Sequence, residues 1–284
     1  MPPLRVVYIH GIHGHPAAED YRRAWDAALE RLAYVQGIET KMVYWADIRL
    51  GAPPEMIAEA HARAKRRKMH RFGRVRPQTN SALGYAVSVF LHAVDPVIRR
   101  ITKSLITDVY LYFYGGERAG DIRDVILDRM DAVMRAHRPD VVIAHSWGSV
   151  IAYDYFTNRG YDGEVQTLIT VGSPLGQRYV QEHAGGSEYP AGIVRWLNVF
   201  DAMDPATWPD RRISNDLPSP RGERIIRDVE IASVYDEDGK RDPHSWHGYL
   251  SSEPVQNEIF RVAVALDLAA RAKAAIPPSH RAAS

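Results

Sequence analysis

The stretch of residues 141–150, with the sequence VVIAHSWGSV, decides the fold of this chain. Its first four residues are apolar and predict a short buried strand, and residues 149–156 predict a helix that follows it. Ser146 stands at the join, with Ala144 and Gly148 two residues away on either side. A buried strand that runs directly into a helix is typical of a parallel α/β sheet, with the serine at the carboxyl edge of that sheet.

The small residues around Ser146 indicate a particular turn, the nucleophile elbow. In this turn the pattern G-x-S-x-G places a serine on a sharp, strained bend, so that its hydroxyl is exposed above the sheet. Ala144 replaces the first glycine of the pattern, and it is the mildest change that close packing around the bend allows. The stretch alone leaves open an alternative, a buried strand that enters a helix capped by a serine.

The composition limits the class of protein. The chain has 284 residues, of which 45% are hydrophobic and 25% charged, as in ordinary soluble globular proteins with one large α/β domain. There is no cysteine, which excludes disulfides, thiolate nucleophiles and cysteine-ligated metals. The net charge of +1 gives no indication of a polyanionic partner. The first residues lack the layout of a secretory signal, and the apolar stretches are shorter than a membrane span, so we expect a cytoplasmic protein.

Apolar runs alternate with segments of helical periodicity along most of the chain. Because the predicted strands are apolar throughout, we expect an α/β fold with a mostly parallel sheet sandwiched by helices. The predicted strands cover 4–9, 40–45, 141–144, 167–171, 194–200 and 229–235, and the predicted helices cover 20–34, 121–136, 149–156 and 254–275. The expected core face of the helix 121–136 consists of Ile122, Val125, Ile126, Met130 and Val133.

Residues 47–120 interrupt this alternation, because about seventy residues stand where one crossover helix would suffice. Segments of helical spacing within them predict a helical cap inserted into a single domain of residues 1–284. Aromatic residues near the end of the insertion, such as Tyr112 and Phe113, are expected to form the core of the cap or to line a pocket.

Candidates for a serine-based site follow the strands in a definite order. A serine hydroxyl is a weak nucleophile, so it needs a histidine base and an acid that orients the histidine. Asp201 and Asp204 both follow the strand 194–200, and His244 and His247 both follow the last strand. The order alone does not choose within either pair.

The chain resembles the α/β-hydrolase superfamily, and in particular its esterase- and lipase-like serine hydrolases. The resemblance rests on the sequence YIHGIHG at residues 8–14, the elbow at 144–148, Asp204-Pro205, and residues 244–250. These four places come in the family's order and span almost the whole chain outside the insertion. The resemblance implies the α/β-hydrolase fold, serine hydrolase chemistry and a cap over the site.

The resemblance also favours one member of each pair. Asp204 precedes a proline and lies clear of the strand end, so it is preferred as the acid, whereas Asp201 is expected to bind loop N–H groups. His244 follows a proline shortly before Gly-Tyr-Leu and is preferred as the base. His247 is the second choice, since other members of the superfamily place the histidine two residues before Tyr-Leu. The resemblance assigns the oxyanion hole to the backbone N–H groups of Ile12 and Trp147.

Several other polar residues are interpreted as structural. Pro174 removes a backbone N–H after Ser173, where a nucleophile would need an oxyanion donor. His10 and His13 lie in a turn without an evident third ligand, so no metal site is expected. His145 is the variable residue of the elbow and is expected to be packed rather than catalytic.

A basic run lies within the insertion, with eight arginines and lysines and no acid between residues 63 and 76. It predicts either a solvated helix face or weak contact with an anionic membrane surface. Binding of nucleic acid is not expected, since Phe72 is the one aromatic residue in the run.

Together these features predict hydrolysis of a carboxylic ester through an acyl-enzyme on Ser146, without a metal or an organic cofactor. The expected partner is a small-molecule or lipid ester. A thioesterase, an acyltransferase or a serine peptidase would use the same triad. A non-catalytic lipid-binding or scaffold module on the hydrolase fold is the alternative from another class. The acyl and alcohol parts of a substrate and the oligomeric state do not follow from the sequence.

Overall fold

The computed structural model describes residues 3–12, 17–29, 37–50, 112–113, 117–186, 188–208, 210–215, 217, 226–233 and 241–275. Most of the predicted cap at 47–120, with the basic run at 63–76, lies outside the described residues, as do His13 and Gly14. Within the described part of the chain, no helix is long and apolar enough to cross a membrane.

Six strands of the described residues form one open sheet in which every neighbouring pair is parallel. They are β1 Leu4–Ile9, β2 Ile38–Val43, β3 Val141–His145, β4 Thr167–Val171, β5 Trp196–Asp201 and β6 Ile226–Ile231. The order across the sheet is β2-β1-β3-β4-β5-β6. The chain therefore places β2 on one side of β1, and then places β3 to β6 in succession on the other side of β1. The carboxyl ends of β1 and β3 flank this change of direction, where open α/β sheets form a crevice.

Helices follow the strands, as a parallel sheet requires. They are α1 Ala18–Leu29, α2 Ala46–Leu50, α3 Glu117–His137, α4 Trp147–Asn158, α5 Arg178–Ala184, α6 Trp246–Leu250 and α7 Glu253–Ala275. Short 3₁₀ turns at Pro174–Gly176, Pro205–Thr207 and Ile213–Asn215 follow β4 and β5.

Both faces of the sheet are covered, because successive side chains of each inner strand point to opposite sides. In β1, Tyr8 packs with the apolar residues of α1, α6 and α7, whereas Val7 and Ile9 pack with those of α3, α4 and α5. This confirms the predicted α/β class with a parallel sheet covered on both faces.

The bounds of three strands and one helix face differ from the sequence-based prediction. Strand β2 covers Ile38–Val43 rather than 40–45, and the inner strand β5 covers Trp196–Asp201 rather than 194–200. The last strand covers Ile226–Ile231 rather than 229–235, and it is half exposed at the edge of the sheet. In α3 the predicted core residue Val125 is 45% exposed, while Leu127 and Met134 are buried instead. The core stripe of α3 is therefore rotated by part of a turn from the predicted one, since both faces of this helix carry apolar residues.

Candidate active site

Ser146 lies between the last residue of β3 and the first residue of α4. Its backbone has φ 53° and ψ −126°, a conformation that non-glycine residues rarely adopt. Its backbone N–H donates to the carbonyl of Val171 at the end of β4, at 2.9 Å. A bend of this kind at the junction of strand and helix is strained, and it holds the serine at the carboxyl edge of the sheet.

Close packing explains the small residues around this bend. A Cβ atom on Gly148 would lie 2.4 Å from the carbonyl oxygen of Ile9, so any side chain there would collide with the end of β1. A Cβ atom on Gly11 would lie 2.6 Å from the Cβ atom of Ser146. The loop after β1 therefore lies directly against the serine, and the two glycines are what allow that contact.

His244 is brought to Ser146 from far along the chain. It lies just before α6, and its Nε2 atom is 2.9 Å from Ser146 Oγ, although the two residues are 98 positions apart. Its Nδ1 atom is 2.8 Å from Asp204 Oδ2. A neutral imidazole has one donor and one acceptor. Because a carboxylate only accepts, Nδ1–H donates to Asp204, and Nε2 accepts the proton of the serine hydroxyl.

Asp204 is fully buried, and its carboxylate accepts three hydrogen bonds from described residues. Its Oδ1 atom accepts the backbone N–H of Ala206 at 2.8 Å, which caps the 3₁₀ turn that begins at Pro205. Its Oδ2 atom accepts from His244 Nδ1 and from the hydroxyl of Tyr249, the latter at 2.7 Å. These donors hold the carboxylate in one orientation, with an oxygen directed at the imidazole.

Asp201, the other candidate acid, is engaged elsewhere. Its Oδ1 atom accepts the backbone N–H of Met203 and its Oδ2 atom accepts that of Ser233, both at 2.7 Å. These bonds tie the loop after β5 to the end of β6. Asp201 therefore supports the loop that carries Asp204 and does not contact His244 among the described residues.

His247, the other candidate base, lies one helical turn further on in α6. Its ring packs edge-on against Trp246, with ring centroids 5.7 Å apart. Its Nδ1 atom is buried and has no hydrogen-bond partner among the described residues. The structure therefore brings His244, and not His247, to Ser146.

The pKa of His244 is raised above its ordinary value. Burial alone would lower the pKa, because it disfavours the charged ring, but the charge and the hydrogen bond of Asp204 and the charge of Asp242 outweigh burial. The imidazole is thus prepared to take a proton, which is the property that a general base next to a serine needs.

The two candidate oxyanion donors lie on either side of the serine. Ile12 is buried in the loop after β1, beside the Gly11 that contacts Ser146, and Trp147 is the first residue of α4. The first N–H groups of a helix have no partner within that helix. In the described part of the chain, the backbone N–H groups of Ile12 and Trp147 donate to no other protein group.

The remaining predicted residues hold structural positions. Ser173 Oγ accepts the backbone N–H of Leu175 and lies 2.6 Å from Ser149 Oγ, so it caps the turn after β4. His145 is buried, and its Nε2 atom donates to the backbone carbonyl of His244 at 3.0 Å. This contact helps to fix the loop that carries His244.

His10 stabilises the loop after β1 through ring stacking and hydrogen bonds. Its ring stacks on that of Trp45, with ring centroids 5.1 Å apart, and its Nε2 atom accepts the backbone N–H of Trp45 at 3.0 Å. Its Nδ1 atom then donates to the carbonyl of Gly11 at 2.8 Å. Within the described residues, no group of three or more histidines, cysteines and carboxylates could hold a metal ion.

Two described residues of the predicted cap pack beside the site. The rings of Tyr112 and Phe113 lie edge-on to the ring of Trp147, with centroids 5.8 and 5.6 Å away. The Tyr112 hydroxyl donates to the buried Asp154 of α4 at 2.6 Å, and Arg123 of α3 forms an ion pair with the same carboxylate at 2.6 Å. This network anchors the end of the insertion to the helix that begins at the serine.

Sequence reasoning missed Tyr249, although it lies in the stretch 244–250 used above. A tyrosine on a short amphipathic helix is typical of core packing, and its contact with Asp204 arises only where α6 meets the loop after β5.

Comparison with protein-family models finds no match to the chain, and no curated protein is similar to it at a significant level. The chemistry of the site is therefore inferred from its geometry alone.

Proposed function

We propose that this chain is a serine hydrolase of the α/β-hydrolase fold that cleaves carboxylic esters through an acyl-enzyme on Ser146. One observation carries the proposal, the continuous chain of hydrogen bonds from Ser146 through His244 to Asp204 at the change of direction in the sheet. Three loops that are far apart in sequence supply these side chains, in the order serine, acid, histidine that the resemblance to α/β-hydrolases implies. The segment 47–120 is proposed as a cap over this site.

In the first half of the reaction, Ser146 Oγ attacks the ester carbonyl while His244 Nε2 takes the hydroxyl proton. The carbonyl oxygen becomes an oxyanion and accepts the backbone N–H groups of Ile12 and Trp147. Asp204 keeps the ring in the orientation that directs Nε2 at the serine and stabilises the imidazolium. The tetrahedral intermediate collapses, the C–O bond to the alcohol breaks, and His244 returns the proton to that alcohol.

In the second half a water molecule takes the place of the alcohol. His244 removes one proton from the water, and the resulting hydroxide attacks the acyl carbonyl. When the second intermediate collapses, the carboxylic acid leaves and the proton returns to Ser146 Oγ. The protein ends in its starting state, and the net reaction consumes one ester and one water.

The proposal is tested with purified protein on matched ester, thioester and anilide substrates that share the same short or medium acyl chains. Wild type should turn over the ester, and Ser146→Ala should give only the background rate. Equal ester turnover by the two proteins would contradict the proposal. A clear preference for the thioester or the anilide would replace esters as the substrate class. Transfer of the acyl group to an added alcohol would indicate an acyltransferase.

Gly172 offers a test of how closely the site is packed. It has φ +56°, and a Cβ atom there would lie 2.9 Å from Asp204 Oδ2 and 3.2 Å from His244 Nδ1. Gly172→Ala should therefore displace the imidazole from the carboxylate, and we expect ester turnover to fall about 10- to 100-fold.

Gly160→Ala is the matched control for this variant. Gly160 has φ +69° with nothing within 4 Å of a Cβ atom, so alanine there has a similar backbone strain without the collision. Thermal unfolding should show a loss of about 1 kcal/mol from backbone strain in Gly160→Ala, and a larger loss in Gly172→Ala, where the collision adds to the strain. A similar loss of turnover in both would mean that backbone strain, and not contact with the site, is the cause.

A further inference from the structure

Tyr249 makes two hydrogen bonds behind the proposed catalytic groups. Its side chain is fully buried in α6, and its hydroxyl donates to Asp204 Oδ2 at 2.7 Å. The same hydroxyl accepts the backbone N–H of Asp201 at 3.0 Å. A backbone N–H can only donate, so the hydroxyl oxygen accepts from Asp201 and its own proton is directed at Asp204.

The hydroxyl and the imidazole share a single oxygen. Asp204 Oδ2 accepts from His244 Nδ1 at 2.8 Å and from Tyr249 at 2.7 Å. A hydrogen bond from a neutral donor stabilises the carboxylate charge at that oxygen. The same hydrogen bond weakens the attraction between the carboxylate and an imidazolium, because the dipole of the hydroxyl group offsets part of the negative charge of the carboxylate.

We propose that Tyr249 is a positioning residue that sets the basicity of His244 by donating its hydroxyl proton to the oxygen of Asp204 that faces the imidazole. The inference rests on the proposed function, since it concerns the base that would activate Ser146. Tyr249 touches neither Ser146 nor a substrate in this account, and it acts through Asp204.

The hydroxyl remains a donor over the working pH range. Burial raises the pKa of Tyr249 well above its ordinary value, and the charge and hydrogen bond of Asp204 raise it further. A phenol with such a pKa stays protonated at neutral and mildly alkaline pH.

Other titratable side chains face the pair, and within the described residues none of them makes a hydrogen bond to the Tyr249 hydroxyl. Asp242 accepts the backbone N–H of His244 at 2.9 Å, and the ring of His145 lies 4.8 Å from that of His244 between centroids. Asp201 faces Arg241, with 3.8 Å between the charged atoms. These groups contribute equally to wild type and to a Tyr249 variant, so a difference in pH dependence reports on the hydroxyl.

The test is the pH dependence of the labelling rate of Ser146 by a fluorophosphonate. His244 activates the serine only when neutral, so labelling slows as the pH falls through the pKa of His244. Since that pKa is raised, the wild-type midpoint should lie above the ordinary value of 6.5. In Tyr249→Phe the full carboxylate charge faces the imidazole. The pKa of His244 rises further, and the midpoint should move up by about 0.5 to 1 pH unit.

Tyr155→Phe is the matched control. The Tyr155 hydroxyl also donates from a buried ring to an aspartate, Asp131 Oδ1 at 2.8 Å, but it lies more than two turns along α4 from Ser146. It should keep the wild-type midpoint. A structural role alone for Tyr249 would lower the melting temperature and leave the midpoint unchanged, and that result would overturn the inference.

A second variant does not depend on removing the hydroxyl. Incorporation of 3-fluorotyrosine at position 249 makes the phenol a stronger donor and nearly preserves its size, so the midpoint should move below that of wild type. An unchanged or higher midpoint would overturn the inference even if Tyr249→Phe failed to fold. Wild type that does not label at any pH would instead overturn the proposed function, and the inference with it.

Discussion

His244→Ala should lower kcat for ester cleavage by about 10⁴-fold or more, whereas His247→Ala should change it by less than about tenfold. The two histidines are three positions apart, but only His244 contacts both Ser146 Oγ and Asp204 Oδ2. Without the imidazole, the serine hydroxyl must ionise unaided, which is unfavourable at neutral pH. The backbone donors of Ile12 and Trp147 would still assist the remaining slow reaction.

His247→Ala is the control for this measurement because the two variants remove the same side chain from the same short segment. Circular dichroism and melting temperatures should show that both proteins remain folded. A loss of kcat in His247→Ala that equals or exceeds that in His244→Ala would contradict the assignment of the base.

Asp204→Asn should also reduce kcat by about 10⁴-fold, and it should lower the free energy of unfolding by about 1 to 3 kcal/mol because the buried Tyr249 hydroxyl would lose its acceptor. Asp204 Oδ2 accepts Nδ1–H of His244, and an amide that keeps its oxygen towards Ala206 would present its NH₂ group to the ring. The imidazole would then carry its proton on Nε2 and could not accept the proton of Ser146. The measurement is ester turnover together with the free energy of unfolding in urea.

Asp201→Asn should lose stability without a comparable loss of kcat. Both oxygens of Asp201 accept backbone N–H groups, and an amide has a single acceptor oxygen, so the N–H of Met203 or of Ser233 would lose its partner. The free energy of unfolding should fall by about 1 to 3 kcal/mol, while kcat should fall much less than in Asp204→Asn. If Asp201→Asn were the more damaging variant for kcat, Asp204 would not be the acid.

The inner strands could be predicted from the sequence because they are buried on both faces. Strands β1 and β4 lie at the residues predicted for them, and β3 extends the prediction by one residue, because each is a mostly apolar run with a polar residue, a proline or a glycine at either end. Strand β5 begins two residues later than predicted and ends one residue later. The outermost strand β6 is half exposed, so its alternating residues define its limits poorly. In α3, apolar residues on more than one face left the buried stripe undefined, and Val125 was assigned to it wrongly.

The sequence locates the candidate site, and the resemblance favours Asp204 and His244, the two residues that the structure joins to Ser146. The residues alone do not choose within each pair, because the choice between His244 and His247 depends on where α6 begins. His247 lies inside that helix against Trp246, and His244 precedes the helix in a loop that reaches Ser146. The contact of Tyr249 with Asp204 joins two segments 45 residues apart, and no local pattern encodes it.

The most direct test of the central claim is labelling of the folded protein by a fluorophosphonate, read by intact mass and peptide mapping. The serine oxygen displaces fluoride from phosphorus, which leaves a covalent adduct on an activated serine. The account predicts a single adduct on Ser146 in wild type and none in Ser146→Ala, with Ser149 and Ser173 unlabelled. Folded wild type without an adduct, or with an adduct on another serine, would contradict it.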